Sequence, residues 1–171
     1  MKSIALSGTG KGFQRRRLGE GSPPSGPAFA AVERIQGAAQ RVCGQALRPD
    51  GGGELRVATA VPQLINLLDH EDPALVDAVG RALQTITKQD FGRSRSRWTS
   101  WWRRRQDEPR LQWLLEGLTH PSAMLRSAAQ DELTGLSGDV VGYRFDQPRR
   151  DREQARKRWA QWWQRRGYPV L

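Results

Sequence analysis

Two strings of tryptophan and arginine are the residues of this chain best suited to binding chemistry. Six of the seven tryptophans form two triplets with the same spacing: Trp98, Trp101, Trp102 and Trp159, Trp162, Trp163. Exposed indoles stack on the bases of single-stranded nucleic acid, and nearby arginines bind its phosphates. The i, i+3, i+4 spacing also places each triplet on one helix face, and a periodic aromatic stripe usually packs into a core. We therefore predict that the indoles are packed.

Two short motifs resemble nucleotide-binding chemistry and are rejected. The glycine-rich stretch Ser7–Gly12 lacks the glycine that a phosphate-binding loop needs at Ala5 and the Ser or Thr that it needs at Gly12. The tripeptide Asp90-Phe91-Gly92 stands without the other elements of a protein kinase. We predict no catalytic or cofactor-binding residue, and we expect the protein not to be an enzyme.

The two histidines, His70 and His120, occupy matching turns and could share a metal ion if those turns were stacked. Two ligands without a third histidine or a cysteine fall short of the usual site, so we expect capping or solvated histidines and no metal. The single cysteine, Cys43, excludes an internal disulfide and is typical of a reducing compartment. The apolar stretches are too short to span a membrane, and we predict a cytoplasmic protein.

The triplets belong to a longer internal repeat, in which apolar and turn residues recur at an offset of 50. The pairs are Leu64/Leu114, Ile65/Leu115, Leu68/Leu118, His70/His120, Leu75/Leu125, Leu83/Leu133, Ile86/Leu136 and Gly92/Gly142. Such self-similarity is typical of helical repeat proteins, whose units present a binding surface. In the first unit we predict a helix that starts at Pro62, a second after Asp72-Pro73, and a third over Arg93–Arg105. The second unit repeats them over Leu111–Leu118, Pro121–Leu136 and Arg149–Arg166.

At this point the chain resembles HEAT-like repeats over about residues 57–166. Val61-Pro62-x-Leu64-Ile65-x-x-Leu68 is similar to the first helix of such a repeat, and Leu125-Arg126-x-x-Ala129-x-x-x-Leu133 to the second. The tryptophan helix resembles an accessory element of some bacterial members. The resemblance implies that Asp72 and Arg126 bridge adjacent repeats, although Val76 and His120 depart from the pattern. Some HEAT-like proteins are DNA glycosylases or bilin lyases, which leaves a minor enzymatic alternative.

The predicted organisation is all-α: a short α-solenoid of two three-helix HEAT-like units with a disordered N-terminal tail. Residues 1–27 form the basic Gly/Pro/Ser tail, and residues 28–56 a capping helix and Gly-rich linker. The first unit spans residues 57–105 and the second unit residues 106–171. The second unit carries an insertion around residues 143–153, because Gly142 lies 17 residues before Trp159 whereas Gly92 lies 6 before Trp98. Insertions in repeats often lie on the binding face.

Positive charge collects beside the tryptophans. The net charge is +10, and it favours acidic partners. We predict a non-enzymatic scaffold that binds a protein with an acidic face; the alternative is a weakly sequence-specific nucleic-acid-binding protein. If the units stack in parallel, the arginine-rich helix ends and the insertion form one positive strip. Its candidate partner-binding residues are Arg103, Arg104, Arg105, Tyr143, Arg144, Phe145, Arg149, Arg150 and Arg152.

Overall fold

The computed structural model describes residues 27–45 and 52–167, and every regular element in these segments is an α-helix. The predicted tail lies outside the described residues, except that Pro27 begins the first helix. The helices are α1 (Pro27–Gln45), α2 (Gly52–Leu67), α3 (Pro73–Thr87), α4 (Arg95–Arg105), α5 (Arg110–Gly117), α6 (Ala123–Ser137) and α7 (Arg149–Gln164). Among the described helices, none has the length and apolarity to cross a membrane.

The predicted boundary of α2 is wrong. We expected Pro62 in the first turn, but α2 begins at Gly52 and Pro62 lies in its interior. Proline has no backbone N–H, so the helix continues through Pro62 at the cost of one hydrogen bond. The boundaries predicted for α4, α5, α6 and α7 are confirmed to within about two residues, which is the usual uncertainty of a helix end.

The ends of α3 show why the chain turns where it does. The Asp72 carboxylate accepts a hydrogen bond from the N–H of Ala74 (2.9 Å), and Pro73 occupies the first turn. Both features satisfy or remove donors that a helix start leaves unpaired. Lys88 ends the helix in the left-handed conformation, with φ of 56°. Gly138 ends α6 in the same conformation.

Two apolar cores lie side by side. The first is formed by α2, α3 and α4, and the second by α5, α6 and α7 together with Tyr143. Helix α1 covers α2 and α3, and α3 contacts α5. Trp113 of α5 is a member of the first core rather than the second. The second unit therefore contributes an indole to the core of the first.

A buried charged cluster also joins the two units. Glu132 of α6 pairs with the Lys88 ammonium (2.9 Å) and with the guanidinium of Arg110, whose Nε donates to the carbonyl of Ile86 (3.1 Å). Burial pushes the pKa of Glu132 up, but Arg110 and Lys88 outweigh it, so the pKa lies below its ordinary value. Close approach at Gly117 supports the same junction, since a Cβ there would lie 2.9 Å from Cβ of Lys88.

The family resemblance implied that Asp72 and Arg126 bridge adjacent repeats, and this prediction is wrong. Asp72 caps α3. Arg126 donates to the carbonyls of His120 (2.8 Å), Pro121 (2.7 Å) and Phe145 (2.8 Å), all in its own unit. The guanidinium satisfies carbonyls at the start of α6 and in the insertion, so it is not free to reach the first unit.

Candidate interaction surface on the tryptophan helices

The inward face of α4 is a packed aromatic layer. Trp98 has 0% of its surface exposed and Trp101 has 5%. The indole N–H of Trp98 donates to the carbonyl of Gly92 (2.9 Å), and Phe91 meets the Trp98 ring edge to face at 4.8 Å. Such edge contacts stabilise aromatic pairs beyond the area they bury. The prediction that these indoles are packed is confirmed, and they offer no stacking platform to a base.

The inward face of α7 is similar, with one difference. Trp159 and Trp163 are buried, whereas Trp162 is half-buried. The guanidinium of Arg166 lies 3.3 Å from the centre of the Trp162 ring, in a cation–π arrangement. Arg166 therefore shields the part of the indole that the core leaves uncovered.

Four arginines flank each triplet at matching positions. The pairs are Arg95/Arg156, Arg97/Arg158, Arg104/Arg165 and Arg105/Arg166. Arg95 binds Asp69 (2.7 Å) and Asn66 (3.2 Å) at the end of α2. Arg156 acts on Glu116 of α5, which stands 50 residues after Asn66. In the first unit this arginine therefore links the tryptophan helix to the end of the first helix, whereas in the second unit Arg156 acts on Glu116 through its charge alone.

The last matched pair is also engaged in structure. Arg105 is half-buried and binds Glu108 (2.8 Å) and Glu116 (2.9 Å), while Arg166 covers Trp162. Burial raises the pKa of Glu116 despite the nearby positive charges of Arg105 and Arg156. Arg105, predicted as a partner-binding residue, thus lies in a network that joins α4 to α5.

The predicted strip is interrupted at Tyr143. Its ring is buried, with 1% exposed, and its hydroxyl donates to the carbonyl of Leu118 (2.5 Å). Burial raises the pKa of this phenol to about 12. Arg152 is half-buried and donates to the carbonyl of Gln147 (2.5 Å). Tyr143 therefore holds the insertion on the second core, and Arg152 donates to a backbone carbonyl within the insertion.

Of the other residues predicted in the insertion, three are exposed but engaged. Arg144 pairs with Asp146 (2.9 Å) and Arg149 with Glu153 (2.9 Å). Phe145 has 38% of its surface exposed, and its N–H donates to the Gln130 side chain (3.1 Å). Exposed ion pairs stabilise a fold by at most about 1 kcal/mol, so a partner can displace them.

Apart from half-buried Arg156, the cations of α4 and α7 whose side chains have no ion pair or hydrogen bond to another described residue are all exposed. On α4 they are Arg97, Arg103 and Arg104; on α7 they are Arg150, Lys157 and Arg165. Arg103, Arg104, Arg150 and Arg165 were predicted from the sequence as part of the strip, whereas Lys157 was not. Arg104 and Arg165 occupy matching positions, and a recurring arginine after each triplet was the signal for both.

Two of the exposed cations of α4, Arg103 and Arg104, border an open groove of about 820 Å³. Its lining belongs to the outward face of the helix and to the turn after α2: Asp69, Arg95, Ser96, Thr99, Ser100, Arg103 and Arg104. Arginine and hydroxyl side chains are donors that suit an anionic group. The groove lies opposite the packed indoles, because positions 96, 99, 100, 103 and 104 lie on the helix face about 180° from the triplet.

The histidines have the same role in both turns. Nδ1 of His70 accepts a hydrogen bond from the N–H of Asp72 (3.0 Å), and Nδ1 of His120 from the N–H of Ser122 (3.0 Å). Each histidine thus satisfies a backbone donor just before a helix, as the capping prediction states. The two turns carry the same local structure, as the sequence repeat predicts.

No protein-family model, curated protein or solved structure matches this chain.

Proposed function

We propose that this protein is a non-enzymatic interaction module, which binds a protein partner with an acidic face through the outward faces of α4 and α7. One observation carries the proposal. Of the four arginine pairs repeated around the triplets, Arg95, Arg158, Arg105 and Arg166 make structural contacts, whereas Arg104 and Arg165 are exposed and unpaired among the described residues. A repeated cation without a structural contact is available to a ligand.

The proposal includes a short α-solenoid of two HEAT-like units. Three contacts support stacking of successive units: Trp113 on Trp101 (5.2 Å between ring centres), Trp113 on Trp102 (5.9 Å), and the Lys88–Glu132–Arg110 cluster. Repeats of this kind bury a continuous core between neighbours and present their helices as a binding surface.

A protein partner suits this surface better than an extended polyanion. An acidic residue without an ion pair to a described residue lies close to the free cations of α4, since Asp107 comes two residues after the helix; Asp69 and Glu108 nearby are paired with Arg95 and Arg105. Such a patchwork of signs complements a protein surface and repels a long run of phosphates.

Capture from an extract of the source cells tests the proposal. Immobilised protein is expected to retain a nuclease-resistant partner at about 150 mM salt, where surface charges still act over about 8 Å. The Arg104→Gln/Arg165→Gln variant should lose it. A matched Arg41→Gln/Arg81→Gln variant removes two exposed charges from α1 and α3 and should keep it. Equal retention of the partner by both variants would exclude the outward faces of α4 and α7 as the binding surface.

The unpaired cations also favour a second candidate, which is a nucleic-acid-binding protein without sequence preference. Free arginines contact phosphates but carry no information about bases. In that case labelled duplexes of different sequence should bind equally, and the affinity should fall steeply between about 50 and 200 mM salt. Nuclease treatment of the extract would then abolish capture.

A further inference from the structure

The outward face of α4 combines hydroxyl and guanidinium donors in one row. Ser96, Ser100 and Arg103 follow each other at helical spacing, with Thr99 and Arg104 beside them. All five line the groove, and all except half-buried Thr99 are exposed. Hydroxyls and guanidinium groups both donate hydrogen bonds to carboxylates, and those from a charged donor are the stronger.

The one acidic side chain in the described lining of the groove is already neutralised. Asp69 binds Arg95 at 2.7 Å. The net charge of the groove therefore comes from Arg103 and Arg104, neither of which has an ion pair with a described residue.

The length of the row limits its ligand. At about 1.5 Å per residue, Ser96 to Arg104 spans about 12 Å, and that distance matches about four extended peptide residues. Asp107 and Glu108 follow α4. A polyanion that continued past the end of the row would meet these carboxylates, whereas a short segment would not.

We infer that this groove binds a short acidic peptide segment of the partner, whose carboxylates contact Arg103, Arg104 and the hydroxyls of Ser96, Thr99 and Ser100. The inference rests on the proposed function and adds to it the site and the chemistry of the bound segment. Arg103 and Arg104 supply the charge, and the hydroxyls orient the carboxylates between them.

The probe is a fluorescent peptide of about four glutamates, the length that the row accommodates, titrated by anisotropy with the full chain at about 50 mM salt, where screening is weak. Arg103→Gln/Arg104→Gln should weaken binding at least about tenfold, because it removes charged donors. The matched variant Arg41→Gln/Arg81→Gln removes the same charge from exposed positions of α1 and α3 and should change affinity less than about twofold. Circular dichroism checks that each variant is folded.

A smaller loss tests the hydroxyls. Ser100→Ala should weaken peptide binding about threefold, as expected for one hydrogen bond at an exposed site. Equal losses of peptide affinity in the α4 variant and the Arg41→Gln/Arg81→Gln variant would overturn the groove, because they would show attraction by overall charge. Absence of peptide binding, or displacement of the peptide by a single-stranded oligonucleotide at lower concentration, would overturn it as well. Partner capture that survives Arg103→Gln/Arg104→Gln would reject the groove and leave the proposed function standing.

Discussion

The two tryptophan helices carry the same residue pattern but lie in different surroundings. In α4, Trp101 and Trp102 are buried, and Trp113 from the second unit packs edge to face against both. In α7, the corresponding Trp162 is half-buried and lies under the guanidinium of Arg166. The indole N–H groups differ too, since Trp98 donates to Gly92 whereas the carbonyl of Gly142 accepts from Arg158.

This difference shows that the neighbours of a repeated motif decide its environment. The triplet spacing fixes which helix face the indoles share, and both helices use that face for packing. The extent of burial depends on the next unit, because α4 has α5 beside it and Trp113 completes its aromatic layer. In α7 a cation from the same helix covers the exposed indole instead.

The largest expected effect separates the two helices directly. Trp101→Ala should lower the free energy of unfolding by about 3–5 kcal/mol, as for other buried aromatic side chains. Trp162→Ala should cost about 1–2 kcal/mol. It removes ring contacts with Trp159 and Trp163 and the cation–π contact with Arg166, but it loses less buried area than Trp101→Ala. Urea denaturation of both variants measures the difference. Equal losses of unfolding free energy would show that the contact with Trp113 of the second unit does not make Trp101 contribute more than Trp162.

Removal of the charged cluster tests the junction that places α5 against the first unit. Glu132→Ala leaves Lys88 and Arg110 buried without a counter-charge and should cost about 3 kcal/mol. Asp131→Ala, the adjacent exposed position, serves as the control and should change stability by less than about 0.5 kcal/mol. A cost for Glu132→Ala no greater than the control's would mean that the cluster does not hold the two units together.

The indole N–H groups give a finer comparison. Trp98→Phe removes the hydrogen bond to Gly92 and replaces a buried indole with the smaller phenyl ring. Trp159→Phe removes a similar ring, but its buried N–H has no hydrogen-bond partner among the described residues. The Trp98 variant should therefore be less stable than the Trp159 variant by about 1 kcal/mol. The reverse order would contradict the assigned hydrogen bond.

The smallest effect concerns pH. Burial lowers the pKa of His120 from 6.5; Asp90 opposes the shift and Arg126 adds to it. The unfolded chain therefore binds the proton more readily, and the stabilisation is complete above about pH 6.5 and is lost as pH falls below it. His120→Asn, which keeps a short polar side chain, should flatten the fall in stability between about pH 7.5 and pH 5.5. An unchanged slope would assign the pH dependence to other groups.

Periodicity was enough to predict most of the helices and their buried faces. Apolar residues at spacings of three and four define α3 and α6, and the triplets define the inward faces of α4 and α7. Pro62 was misjudged because proline is common in a first turn, and the sequence does not show that α2 extends back to Gly52. Lys88 is buried although lysine is usually solvated, because its ammonium pairs with the distant Glu132 and donates to the carbonyl of Thr85.

The interaction surface was predictable only in part. The arginine-rich ends correctly indicated Arg103 and Arg104 as exposed cations, and Arg150 as another. Tyr143 was misplaced because an aromatic residue among arginines in an insertion is typical of a binding loop, whereas its hydroxyl reaches Leu118 across the second core. Pairings such as Arg105 with Glu116 depend on how the helices pack, so residue spacing does not predict them.

The unfolding free energy of Arg104→Gln/Arg165→Gln tests most directly the claim that the inward faces hold the fold and the outward cations serve a partner. Neither side chain has a structural contact with a described residue, so urea denaturation should give a value within about 0.5 kcal/mol of the parent. A loss of about 2 kcal/mol or more would show that the repeated arginines are structural, and would contradict the account.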